Sequence, residues 1–290
     1  MSRVTYQPSG KLHWGWLALW SALPFAVAIF LGALTYGALR LGILFLLVAG
    51  LLAGSLIGGA NWMAVRGAHC RGRVPAAFVG AIAALLYFVA YFQAGIVRDL
   101  GWAGIARFDL LPAYVQMRME SDLIISNNLP VRNKDRRPNP RANWGLMAVD
   151  MLIVTGLAML YSGAAAMRPY CESQQSWLKS KMIYCRGDYY GDLRRRISAG
   201  PVVSSLGDLE RVTSREPGDL ILMLYYCPRI RYPGRPVEMY MALGEYQGER
   251  DQVMLRGKIW NLPQLELFPR EYDVACRLFD VPPPPAPEVG

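Results

Sequence analysis

The chain has 290 residues, 53% hydrophobic and 18% charged, with 31 basic residues against 22 acidic ones and a formal charge of +9. The charged share falls below the roughly 25% of an average soluble domain. Composition therefore excludes a disordered chain, a coiled coil and a collagen-like fibre, and leaves a membrane protein with a soluble part attached.

The charge is unevenly spread. Residues 1–98 hold no Asp or Glu, and their seven basic residues are Arg3, Lys11, Arg40, Arg66, Arg71, Arg73 and Arg98. Beyond residue 98 the two signs nearly balance. A nucleic-acid-binding protein would carry a basic patch on a folded soluble face. Here the surplus flanks apolar segments, as membrane insertion requires, so nucleic acid is excluded as a partner and membrane lipid is expected.

About 20 apolar residues cross the hydrocarbon core of a bilayer. Three stretches free of Lys, Arg, Asp and Glu are longer than that: Lys11 to Arg40, Arg40 to Arg66 and Arg73 to Arg98. They predict spans over 16–38, 41–63 and 76–97, the first two joined as a tight hairpin with Arg40 at its tip. The first apolar stretch exceeds the 7–15 residues of a signal-peptide core and reads as a retained anchor. A fourth span is predicted over 147–167, with Asp150 near its start. Pro24 predicts a kink in the first span, and Pro75 suits the first turn of the third.

Gly50, Gly54 and Gly58 recur every four residues on one face of the second span. Small residues at this spacing let another backbone approach closely. The partner is either span one or three of the same chain, or a second copy in a homo-oligomer. Asp150 is the candidate intramembrane polar group; an acid at a helix N-terminus, favoured by the helix dipole, is its plainer reading.

Between spans three and four, Phe108, Leu111, Val115 and Met119 predict an amphipathic helix near 105–125, lying on the membrane surface. A polar loop with Arg132, Lys134, Arg136 and Arg137 follows. Arg66, Arg71, Arg73, Arg136 and Arg137 are candidate contacts for lipid headgroups. The early basic residues favour both termini in the cytoplasm.

Residues 168–281 are expected to form a soluble α+β domain, and 282–290, with five prolines, an extended tail. The stretch 187–213 reads as mostly helical. Asp188 to Arg196 could bind an anion or headgroup, or be a solvated helix face. The apolar run Leu220 to Tyr226 and the alternating stretches Val237 to Tyr246 and 253–259 predict three strands of an antiparallel meander, the first of them central. Helices are expected before it and after it.

Cys70, Cys171, Cys185, Cys227 and Cys276 read first as buried free thiols. Disulfides would need an exported domain, and no Cys-x-x-Cys pair points to zinc. His13 and His69 are the only histidines. No His-Glu-x-x-His, phosphate loop or Gly-x-Gly-x-x-Gly occurs. No catalytic residue, cofactor or metal site is assigned.

Shortly after the last span stands Tyr170-Cys171-Glu172-Ser173-Gln174-Gln175-Ser176-Trp177. With the tight first hairpin, the glycine-rich second span and the long loop before span four, the layout resembles an uncharacterised family of bacterial four-span inner-membrane proteins. The family pattern is an aromatic, then Cys-Glu-x-Cys-x-x-Trp. Gln174 stands at the second cysteine, so any metal bound by such a pair is expected to be lost. The resemblance covers about residues 16–180 and implies the bacterial inner membrane, without an activity.

Three functional readings follow. The first is a non-enzymatic membrane anchor presenting a partner-binding domain, with a protein as the expected partner. The second is a small oligomeric transporter or channel subunit. The third is a membrane enzyme acting on lipid headgroups, for which no nucleophile or general base is recognisable.

Overall fold

The computed structural model describes residues 6–40, 46–120, 140–186, 209–213, 218–232, 235–246 and 265–284, with 190, 193, 195 and 216 between them. Two compact units divide the chain: residues 9–167, and residues 168–290 together with 1–8.

The first unit is helical. Its long elements are α1 (Trp14–Arg40), α2 (Leu46–Gly67), α3 (Arg73–Leu100) and α5 (Pro140–Ala166), with the short α4 (Leu111–Glu120) between the last two. Four of them are long and apolar enough to cross a membrane. α1 runs on through Pro24 without ending. Arg40, the expected hairpin tip, is the last residue of α1, and 41–45 lies outside the described residues.

Neighbouring contacts fix the directions of these helices. The three glycines of α2 meet α5 in ascending order: Gly50 at Asp150, Gly54 at Val154 and Leu157, Gly58 at Tyr161. α2 and α5 therefore run parallel. Gly80 of α3 meets Ala158 and Ser162, and Gly163 of α5 meets Arg73, so α3 and α5 are antiparallel. Gly67 at the end of α2 lies on the Trp20 ring near the start of α1. Up-down alternation is what four successive crossings of one bilayer require.

The glycine face of α2 is thus covered by α5, the fourth span, and not by span one or three as the spacing alone suggested. The reason is tertiary. α1 packs chiefly on α3, and α5 fills the groove that α2 presents. Within the chain, this face meets α5.

The segment after α3 also departs from expectation. Short 3-10 segments occupy Gly101–Ala106 and Phe108–Leu110, and the helix proper starts only at Leu111. Gly101, at φ +67°, ends α3. The Gln93 side chain reaches forward from α3 to donate to the carbonyls of Gly104 (2.6 Å) and Ile105 (3.2 Å), pinning the turn. α4 packs on α3 and α5. Arg118 and Met119 are buried, Leu111 and Val115 pack on the bundle core, and the Asn143 amide donates to the Met119 carbonyl at 2.9 Å. The predicted surface helix is therefore a cap on the bundle, with Phe108 left exposed.

The second unit is built on a five-stranded antiparallel sheet in the order β4-β3-β5-β6-β7: β3 (Lys179–Arg186), β4 (Glu210–Val212), β5 (Leu220–Tyr226), β6 (Tyr240–Glu245) and β7 (Leu265–Glu266). A separate two-stranded hairpin joins β1 (Tyr170–Cys171) to β2 (Ser176–Trp177). β5 holds the centre, as its unbroken apolar run predicts, because it is buried on both faces. Leu220, Leu222 and Leu224 face a core completed by Met239, Met241, Leu243 and a helix α6 (Tyr272–Phe279). Ile221, Met223 and Tyr225 face a second core with Cys171, Leu178, Tyr240 and Tyr246. Such a two-faced strand needs no alternation.

Two parts of this unit escaped the sequence. β3 went unassigned because only Ile183 and Cys185 of its eight residues are buried. Glu210–Val212 is an edge strand rather than the end of a helix. The expected strand at 253–259, and most of 187–208 with its tyrosine and arginine cluster, lie outside the described residues. Tyr6 belongs to this unit: its ring stands edge-on to Tyr240 at 5.0 Å and its hydroxyl donates to the Arg168 carbonyl.

Candidate functional site

The structure gathers polar side chains in two places, one in each unit.

In the helical unit, Asp150 is 1% exposed. α5 begins at Pro140, not at 147, so Asp150 lies ten residues inside the helix, about 15 Å along its axis. The N-terminal reading of this acid therefore fails. Its Oδ1 has no hydrogen-bond partner and sits where a Cβ on Gly50 would be. Tyr87 and Tyr91 of α3 are within its electrostatic reach. The Tyr87 hydroxyl pairs with Thr35, and Arg118 of the capping helix donates to Tyr91. The Tyr36 and Tyr91 rings meet edge-on at 5.7 Å. α1, α3, α4 and α5 thus all contribute to one polar layer inside an apolar bundle. Asn61 is also fully buried, and neither side-chain atom has a hydrogen-bond partner.

The candidate headgroup arginines separate on inspection. Arg71 is buried at 4% exposure, and its backbone N–H donates to the Lys11 carbonyl. Arg66 and Arg73 have surface exposure. Arg136 and Arg137 lie outside the described residues.

In the second unit the β1–β2 hairpin builds a thiol site. Cys171 stands directly across from Ser176 in the hairpin register. The Ser176 Oγ lies 3.1 Å from the Cys227 Sγ, and the Ser173 Oγ 3.1 Å from the Cys171 Sγ. Cys227 follows the end of β5, so hairpin and central strand bring two cysteines 56 residues apart to either side of Ser176. The turn between them is held by Gln174, which is fully buried. Its Oε1 accepts from the N–H groups of Arg231 (2.9 Å) and Tyr232 (3.0 Å), and its Nε2 donates to the carbonyls of Tyr232 (3.1 Å) and Arg235 (3.2 Å). Gln174 thus ties Arg231, Tyr232 and Arg235 to the hairpin. Gln175, at φ +48°, supplies the left-handed step of the turn.

The electrostatics of the pair are asymmetric. The neighbouring Cys171 thiol first, then the Ser176 hydroxyl and Arg231, lower the Cys227 thiol against the pull of burial. The same proximity, with burial, pushes Cys171 up. Beside them, burial first and the Cys171 sulfur second raise Glu238 to about 7, opposed by the Tyr240 hydroxyl, which donates to its Oε2 at 3.0 Å. Cys171 is buried and Cys227 is partly exposed, while Cys70, Cys185 and Cys276 are buried in other clusters.

The sequence named all five cysteines without pairing any. Gln174 carries the usable signal, a buried polar residue in a short hairpin, but only the fold places Cys227 next to it. Among the described residues no cluster of three or more His, Cys, Asp or Glu has the arrangement to hold a metal ion. Comparisons with protein-family models, with curated proteins and with solved structures find no match to this chain.

Proposed function

We propose that this protein is a four-span integral membrane protein whose helical unit anchors the C-terminal unit at the membrane surface, where that unit binds a protein partner. One observation carries the reading. The four long helices close on one another through backbone-close glycine contacts, while residues 168–290 build a separate core on both faces of β5. The bundle has the form of a support, and the sheet unit has a surface of its own to offer.

An even number of crossings leaves both ends on one side. The contacts of Tyr6 with Tyr240 and Arg168 agree with this. We place that side in the cytoplasm of a bacterial inner membrane, on the basic residues Arg66, Arg71 and Arg73 between spans two and three. Cys227, the partly exposed thiol, reports sidedness. A membrane-impermeant maleimide should leave it unlabelled in intact cells and label it after lysis.

The anchoring role is tested by exchange. Residues 9–167 are replaced by an unrelated anchor of the same end topology, keeping residues 1–8 and 168–290. The set of proteins photo-crosslinked through residues of 168–290 should be unchanged. Loss of that set, with the chimaera folded and in the membrane, would make the helices part of the activity.

Asp150 favours a second reading. A buried ionisable group in the apolar interior of a span is a mark of ion or proton pathways. On that reading the polar layer of Asp150, Tyr87, Tyr91 and Arg118 couples transport. Asp150→Asn would then abolish function without loss of the protein from the membrane, whereas an anchor would tolerate it. The lipid-headgroup enzyme has no supporting observation.

A further inference from the structure

We propose that Cys171 and Cys227 form a dithiol site that exchanges with low-molecular-weight disulfides bearing carboxylates, with Cys227 attacking and Cys171 resolving. This goes beyond anchoring: it gives the C-terminal unit a chemistry of its own, whichever partner it binds.

Four observations converge on the pair. The two cysteines are brought to one place by the register of a hairpin and the end of the central strand: Cys171 stands opposite Ser176, whose Oγ lies 3.1 Å from the Cys227 Sγ. Their accessibility differs in the sense the chemistry needs: the attacking cysteine is partly open, and the resolving one is buried. The loop that follows Cys227 exposes Arg229, Arg231 and Arg235, a cationic rim for a small dianionic or tetra-anionic ligand. Gln174 makes four hydrogen bonds to Arg231, Tyr232 and Arg235, so that part of the rim is tied to the hairpin that carries Cys171. Thiolate character at Cys227 and a carboxyl at Glu238 able to exchange a proton near neutral pH support the same assignment.

The steps balance. Cys227, having released its proton to solvent, attacks one sulfur of R–S–S–R. The S–S bond of the small molecule breaks, a Cys227–S–S–R bond forms and one RS⁻ leaves. Cys171 then passes its proton to the neighbouring Glu238 carboxylate, and its sulfur attacks the Cys227 sulfur. The mixed bond breaks, the Cys171–Cys227 disulfide forms and the second RS⁻ leaves. One departing thiolate takes the proton relayed through Glu238, and the other takes one from solvent. The two protein thiols are oxidised and the small disulfide is reduced to two thiols, a two-electron exchange with no further reactant.

The test uses the full-length protein, reduced in detergent micelles and then exposed to glutathione disulfide. Aliquots are quenched with N-ethylmaleimide and mapped as peptides by mass. In the wild type the 171–227 disulfide should be the main oxidised species. In Cys171→Ser a glutathione adduct should persist on Cys227. In Cys227→Ser the rate of glutathione uptake should fall at least tenfold. Cystamine, a cationic disulfide, should react several-fold more slowly than glutathione disulfide. Equal or faster reaction with cystamine would overturn the carboxylate preference. The proposal fails if the wild type places glutathione on Cys70, Cys185 or Cys276 while Cys171 and Cys227 stay alkylatable. It fails equally if both thiols resist N-ethylmaleimide until a chelator is added, since a metal would then hold them.

Discussion

The two units solve the same packing problem by opposite means. In the helical unit close approach comes from removing side chains: Gly32, Gly50, Gly54, Gly58, Gly67 and Gly80 each lie where a Cβ would meet another helix. In the sheet unit it comes from adding them, since β5 inserts large apolar side chains into cores on both faces. The physical cause is the solvent. Between lipid-facing helices there is no hydrophobic gain in burying a leucine, so contact depends on van der Waals fit and small residues. In water, burial of apolar area drives folding, and the strand with the most of it becomes the centre. The two units should therefore respond in opposite directions to the same kind of substitution.

The largest effect is expected in β5. Leu222→Ala removes a fully buried side chain and should destabilise the C-terminal unit by about 2–5 kcal/mol. Met182→Ala, at an exposed position of β3, should stay within about 0.5 kcal/mol. Denaturant titration of the full chain in detergent, followed by protease nicking within 168–290, reads both. If the two substitutions cost the same, the two-faced core is wrong.

Enlargement should be the harmful change in the bundle. Gly54→Leu must displace Val154 and Leu157 and should cost about 1–3 kcal/mol. Gly59, one residue from Gly58, has open space around it, and Gly59→Ala should be neutral or slightly stabilising. Thermal unfolding in micelles separates them. Equal tolerance at both positions would show that α5 does not lie on the glycine face.

Gln174→Ala would leave the N–H groups of Arg231 and Tyr232 and the carbonyls of Tyr232 and Arg235 without these partners. The expected loss is about 1–3 kcal/mol, with faster proteolysis at Arg231 and Arg235. An unchanged cleavage rate would mean that the loop is held by something else.

A coupled pair sharpens the placement of Asp150. Gly50→Ala should destabilise the bundle, and Asp150→Ala should remove that penalty, giving a coupling of about 0.5–3 kcal/mol in a double-mutant cycle. Additive behaviour would separate the two residues.

A further effect concerns pH. The Glu238 carboxyl is raised in the folded state from an ordinary 4.5 to about 7. The folded state therefore holds its proton more tightly than the unfolded one. The stabilisation is complete below about 4.5 and is lost as pH rises through about 7. Cys171, Tyr240, Glu172 and Glu266 are the titratable groups acting on it. Glu238→Gln should flatten the stability profile between those limits, and an identical slope in the variant would contradict the burial of this group.

How much of this was legible in sequence differs with the unit. Span-length helices declare themselves by an absence of charge, which needs no partner to be read. The glycine spacing showed a contact face, but not whose face meets it, because α5 and α3 offer similar apolar surfaces. Asp150 was misread through a helix start placed seven residues late: the polar Asn143 and Arg141 looked like loop. The thiol site was invisible because its members are 56 residues apart in the chain and share no motif.

The sequence by itself determined the number of long apolar helices, the glycine face of α2 and the central place of β5. Each follows from a local pattern of charge, size or hydrophobicity. Only the tertiary structure decided that α5 fills the glycine groove, that Asp150 and Arg118 join one polar layer, and that Cys171 meets Cys227. Those are pairings between distant segments, and a pairing depends on which surfaces reach each other after folding.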